Sequence, residues 1–229
     1  LWSKQKSGEG MFLIRLRAVF EKKDRAKYIS HLDLNRCMLR TFRRSGLPIW
    51  YTEGFNPHPY FSFALALSLG YESSCEILDF NLNEELPFEE IKDKLNAVMP
   101  SGMKIISVAE QKLKITAIAS AEYSFSLETQ SPDELYTEIQ KLLSQDSILI
   151  EKKTKKGVRT VDIKPDVNVI SCTCGEKSAD MVMRLPAGTQ TNYNPSLFIE
   201  ALRKSTDIPF EAVKICRTGI FCENGEIFS

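Results

Sequence analysis

The stretch Met11 to Gly46, MFLIRLRAVFEKKDRAKYISHLDLNRCMLRTFRRSG, decides the fold because its hydrophobic period changes part-way along. Met11 to Phe20 alternates as a strand does, with Arg15 and Arg17 projecting from one face. Ser30 and Asp33 then form a Ser-x-x-acid capping pair, which opens a helix running to about Ser45. Gly46 stops it. At 100° per residue Leu34, Met38, Leu39 and Phe42 fall on the side that packs on a sheet. His31 falls on that same core-facing side, in the first turn, where the helix dipole favours a neutral ring. Arg36, Arg40, Arg43 and Arg44 occupy the opposite arc, within about a third of the circumference.

Working outward, Leu47 to Thr52 reads as a short strand, Gly54 to Pro59 as a loop and Cys75 to Leu82 as another strand. Pro87 starts a helix through Val98, ended by Pro100 and Gly102, and Met103 to Ala109 is a last strand. That is β-α-β-β-α-β, the ferredoxin-like order. The second half repeats it. Tyr123 to Glu128, the helix Pro132 to Leu143, Ile148 to Lys152, Ala179 to Leu185, the helix Pro195 to Arg203 and Phe210 to Arg217 supply the six elements. Between the second and third strands lies an insertion: the basic turn Lys153 to Gly157, the segment Val158 to Ile163, and an extra strand near Val167 to Cys172. A hairpin turn at Cys174 to Lys177 follows. The expected fold is α+β: tandem ferredoxin-like subdomains over residues 11–110 and 119–229, with an extra hairpin inserted in the second and a junction near Gln111 to Ile118.

A chain of 229 residues, 43% hydrophobic and 26% charged, can bury a core in each of two such domains. No apolar run approaches the ~20 residues of a membrane-spanning helix. Residues 1–10 are polar and read as a frayed leader, with no secretory signal. Six scattered cysteines read as reduced thiols, and a cytoplasmic location is expected. Net charge is zero but polarised. Arg15 to Arg44 holds ten Lys/Arg against three acids, whereas Glu72 to Met99 holds eight acids against two lysines. The arginine arc therefore has two readings, a solvated helix face partly paired with that acidic segment, or a planar, bidentate surface for phosphates or carboxylates. Arg159 and Lys164, beside the basic turn, could extend such a surface.

The loop Gly54-Phe55-Asn56-Pro57-His58-Pro59 is the other notable segment. Two prolines fix φ and remove donors, and Gly54 tolerates a positive φ. Asn56 and His58 between them are a polar pair held in fixed places, with Phe55 expected to pack inward. His31 and His58 are the only histidines, and the β-α-β-β topology puts both at one rim, so both are candidate proton-transfer groups. Cys172-Thr173-Cys174 lacks a second pair and a nearby histidine, so no metal site is expected, nor any cofactor. No P-loop, GxSxG, HExxH or CxxxCxxC motif occurs.

Tyr28-Ile29-Ser30-His31-Leu32-Asp33-Leu34, Arg43-Arg44-Ser45-Gly46-Leu47-Pro48, Gly54 to Pro59, Phe61-Ser62-Phe63, Arg159 to Pro165 and Asn194-Pro195 resemble a bacterial domain-of-unknown-function family. Its members occur as radical-SAM-associated proteins, fused after a radical-SAM protein or encoded beside one. The resemblance implies a radical-SAM partner and a link to RNA, and it carries over no catalytic residues. The leading expectation is an accessory protein, not an enzyme on its own, that presents RNA (tRNA or rRNA) or another anionic substrate to that partner. Gly54, Phe55, Asn56 and His58 would be its substrate or partner loop. Two alternatives stand beside it: a metal-independent RNA endonuclease using His31, and a purely structural protein–protein partner.

Overall fold

The computed structural model describes residues 5–6, 12–154, 157–188 and 191–229, and the chain is a mixed α+β protein with four α-helices among them. It divides into two compact units, one taking the chain to Ala117 together with Phe228–Ser229, the other Ile118–Ile227.

In the first unit, β1 (Gln5–Lys6) and β2 (Phe12–Lys22) are followed by a short 3-10 turn, Asp24–Tyr28, and by α1 (His31–Arg44). Then come β3 (Phe61–Phe63), β4 (Glu72–Leu82), α2 (Phe88–Asn96) and β5 (Met103–Glu110). β2 lies centrally, with β4 on one side and β5 on the other, and β3 pairs the outer edge of β4. The order is thus β5-β2-β4-β3, and each of these pairings is antiparallel. β1 pairs the start of β2; the rest of the leader lies outside the described residues. Leu16, Ala18 and Phe20 of β2 and Leu78, Phe80 and Leu82 of β4 form one apolar face, covered by Leu34, Met38 and Phe42 of α1 and Ile91 and Leu95 of α2. Each of these Leu, Ile, Met and Phe side chains stabilises the unit by about 1.5–3 kcal/mol on leaving water.

α1 begins where its cap places it. Ser30 stays extended and its Oγ accepts from the Asp33 N–H at 3.1 Å. The helix ends at Gly46, which takes φ +67°, a left-handed conformation that suits glycine.

The edge strand departs from expectation. Leu47 to Thr52 does not continue as a strand; only Ile49 and Tyr51 make isolated bridges, to Leu82 and Pro59. The chain touches the edge of β4 at Ile49, leaves it, and returns at Phe61, which pairs Phe80. Residues 51–59 therefore form a hairpin projecting from the middle of an edge. It is closed by Tyr60 N–H to Trp50 O at 3.0 Å and Thr52 N–H to His58 O at 2.9 Å. The link between β3 and β4 is instead residues 64–71, and it is this link that meets the entrance to α1, through Gly70 N–H to Lys27 O at 2.9 Å.

The second unit contains β6 (Ile118–Glu128), α3 (Pro132–Ser144), β7 (Leu149–Thr154), β8 (Gly157–Asp162), β9 (Asn168–Cys174), β10 (Ser178–Pro186), α4 (Ser196–Ser205) and β11 (Glu211–Cys222). Its sheet runs β11-β6-β10-β9, again antiparallel. β7 does not join it. It pairs β8 in a separate two-stranded ribbon, and β9 takes the edge position expected of β7. Of the basic turn at the ribbon's tip, Lys155 and Lys156 lie outside the described residues.

Candidate functional site

All four arginines of the arc, Arg36, Arg40, Arg43 and Arg44, are exposed on α1. Arg36 donates to Asp33 Oδ1 at 3.0 Å, a pairing within its own helix. Arg40, Arg43 and Arg44 have no carboxylate partner among the described residues, so the acidic segment Glu72 to Met99 does not neutralise them. Two of its acids pair with its own lysines instead, Glu89 with Lys92 and Glu90 with Lys94.

Arg36, Arg40 and Arg44, spaced by four residues, line one wall of a cleft of about 550 Å³. Asp33, Cys37 and Thr41 complete that wall, and Ala97, Val98, Met99 and Pro100 form the opposite one. Burial pushes the Cys37 thiol up, against weaker opposing effects of Thr41 and Arg40, so this wall carries no thiolate at neutral pH. The Ser30 hydroxyl and the Arg36 guanidinium hold the Asp33 carboxyl below its ordinary value, so it stays ionised beside Arg36. Three cations thus face one carboxylate in this cleft.

The hairpin 51–59 is ordered by its own backbone. His58 Nδ1 lies 3.0 Å from Asn56 O and 3.1 Å from Thr52 Oγ1, and the His58 N–H donates to Thr52 Oγ1 at 3.3 Å. A carbonyl oxygen can only accept, so Nδ1 is the donor to Asn56 O. Gly54 takes φ +122° with open space around it, so backbone conformation alone demands glycine there. Phe55 does not pack inward. It is fully exposed at the tip, because a hairpin standing off the edge has no core beneath it. The Asn56 side chain makes no hydrogen bond among the described residues; its carbonyl does the structural work.

His31 is also exposed. It shares the helix face of Leu34, Met38 and Phe42 but stands at the very start of α1, beyond the buried end of that row, and its ring meets Phe63 edge-on at 5.5 Å. Its imidazole has no hydrogen-bond partner among the described residues. His31 meets Phe63 at the end of β3, whereas His58 belongs to the hairpin that precedes β3, and the link that meets the α1 entrance is residues 64–71, not the GFNPHP loop.

Arg159 and Lys164 belong to the second unit. Arg159 is exposed on β8 opposite Lys152, and the Lys164 ammonium donates to Leu143 O at the C-terminal end of α3, where a cation suits the dipole. Within the same segment Asp162 Oδ1 accepts from the Ile148 N–H at 2.8 Å and the Lys164 N–H at 3.0 Å. Asp166 hydrogen-bonds Tyr193, whose pKa is raised by burial and by that carboxylate. Within Arg159 to Pro165, Asp162 and Lys164 thus make structural contacts while Arg159 stays exposed. Cys174 donates to Asp133 Oδ1 at 3.2 Å, and Cys172 is half-buried, both thiols held above their ordinary pKa, Cys172 chiefly by burial and Cys174 chiefly by the Asp133 bond. No group of three or more His, Cys, Asp or Glu placed to hold a metal occurs among the described residues, and none of their helices is long and apolar enough to cross a membrane.

One arrangement escapes the sequence altogether. Arg17, buried in the first unit, grips Asp79 with two bonds of 2.7 and 2.9 Å, donates to Leu113 O at 2.9 Å, and stacks on the Phe228 ring at 4.1 Å. Gln111 Nε2 binds the same Asp79 at 2.7 Å. The alternation of β2 signals a polar face there, but no local signal says that the face is covered. No curated protein matches this chain. Residues 15–195, which include α1, its arginines and the hairpin, match the family model described as "Uncharacterized protein conserved in bacteria (DUF2344)", and the chain belongs to that family.

Proposed function

We propose that this protein is an accessory binding module that holds an anionic substrate, RNA foremost, on the outward face of α1 and presents it to a radical-SAM enzyme. One observation carries the reading: Arg40, Arg43 and Arg44 share an exposed arc with no carboxylate partner among the described residues. The helix dipole accounts for cations in the last turn, Arg43 and Arg44, at about 0.3–1 kcal/mol each. It does not account for Arg40, which stands four residues from both Arg36 and Arg44. Like charges at that spacing destabilise a helix by about 0.2–0.5 kcal/mol per pair. A face that keeps this repulsion unrelieved suits a ligand that supplies the anions.

The strand orders β5-β2-β4-β3 and β11-β6-β10-β9 support reading both units as ferredoxin-like, with β9 standing in for the second strand of the repeat. The resemblance of the α1 entrance and the hairpin to radical-SAM-associated proteins supports the partner, and exposed Phe55 on a stiff hairpin suits a protein contact. A nuclease built on His31 has less support, since no hydrogen-bonding group orients its imidazole among the described residues. The test is RNA binding by Arg40→Ala/Arg43→Ala/Arg44→Ala against wild type at fixed, moderate salt. Affinity should fall at least tenfold with an unchanged melting temperature. Equal affinities would remove α1 as the binding face.

A further inference from the structure

The cleft beside α1 has two unlike walls. One carries Arg36, Arg40 and Arg44; the other is the turn Ala97, Val98, Met99, Pro100 that leaves α2. Met99 is half-buried and packed against the core of the first unit, so this wall is a fixed apolar surface. A ligand matching both walls has a phosphate for the guanidinium groups and a flat apolar body for Val98 and Met99. A volume of about 550 Å³ suits one such unit, not a length of duplex.

We propose that the cleft is a nucleotide subsite: it seats one nucleoside 5′-monophosphate unit, with the phosphate on Arg40 and Arg44 and the base against Val98 and Met99. The inference rests on the reading of α1 as an anion-binding face and narrows it to a unit of defined chemistry. Arg36 is partly committed to Asp33, which leaves Arg40 and Arg44 as the pair free to chelate phosphate oxygens. The neutral Cys37 thiol and buried Thr41 beneath them add no competing negative charge. The same unit could arrive as a free nucleotide or as the 5′-phosphorylated end of an RNA chain.

Calorimetric titration of the full chain with adenosine 5′-monophosphate, ribose 5-phosphate and inorganic phosphate tests this, with a 5′-phosphorylated and a 5′-hydroxyl oligoribonucleotide as further arms. The nucleotide should bind at least tenfold more tightly than ribose 5-phosphate or phosphate. Arg40→Ala/Arg44→Ala should abolish that binding, and Val98→Ser, an uncharged change at a half-exposed position, should weaken the nucleotide while sparing ribose 5-phosphate. A preference for the 5′-phosphorylated oligomer over the 5′-hydroxyl one would identify the chain end as the source; equal oligomer affinities with retained nucleotide binding would identify the free nucleotide. Nucleotide binding no tighter than phosphate, or indifferent to the arginine pair, overturns the subsite. If RNA binding still depends on Arg40, Arg43 and Arg44 in that case, the broader reading of the face stands without it.

Discussion

Arg17 and Asp79 stand 62 residues apart in sequence and meet as a buried, doubly hydrogen-bonded pair. Such a pair adds little net stability over an apolar replacement, but removing one partner strands the other charge. Asp79→Ala should therefore cost about 3–5 kcal/mol, read as a lowered midpoint in urea denaturation, whereas loss of an exposed carboxylate such as Glu84 should change stability by less than about 0.5 kcal/mol. Equal effects would show that the pair is not isolated from water. Asp33 makes the opposite kind of contribution. Its folded pKa is depressed by the Ser30 hydroxyl and Arg36, so the stability it adds is complete above the ordinary carboxylate value and is lost as pH falls through the folded pKa. Denaturation of wild type and Asp33→Asn should differ at neutral pH and converge in acid, and a difference that grows on acidification would contradict the assignment. Ser30 and Asp33 were legible as a cap because their spacing is local. Arg17 was not, since β-alternation reports which face a residue takes and not what covers that face.

At the scale of the element, α1 was readable throughout. Its cap, the row Leu34, Met38 and Phe42, and Gly46 are all encoded within one turn of the groups they act on. The edge strand was not. Leu47 to Thr52 has the composition of a strand, but its partner Leu82 is engaged only at Ile49 before the chain turns away. Nothing local distinguishes a strand followed by a loop from a strand interrupted by a hairpin, and that ambiguity misplaced Phe55 and the relation of His58 to His31. The hairpin makes its own ladder, so its order does not depend on Phe55. Phe55→Ala should leave the melting temperature unchanged, within the few tenths of a kcal/mol usual for exposed sites, while weakening any partner that docks on the tip. Thermal denaturation checks the first part. A drop of several degrees would mean that Phe55 is packed after all.

For the whole molecule, the mixed α+β class was legible, but the pairing of strands in the second half was not. β7, β8 and β9 are three short strands in succession, and either β7 or β9 could fill the free edge of β10 by pattern alone. Tertiary packing selects β9, whose Cys172 and Cys174 lie against α3 through Gln140 and Asp133. The polarised charge was likewise visible as composition, but whether the acids Glu72 to Met99 quench the arginines is a question of distance. In the folded chain they do not, and the central claim follows from that. Each phosphate neutralised by an arginine releases counterions, so the logarithm of RNA affinity falls against the logarithm of salt with a slope of about −0.7 per phosphate on a single strand. The most direct measurement is that slope for wild type and for Arg40→Ala/Arg43→Ala/Arg44→Ala. The account predicts a shallower slope in the variant, by about 2 if each of the three arginines meets one phosphate. Identical slopes would contradict it.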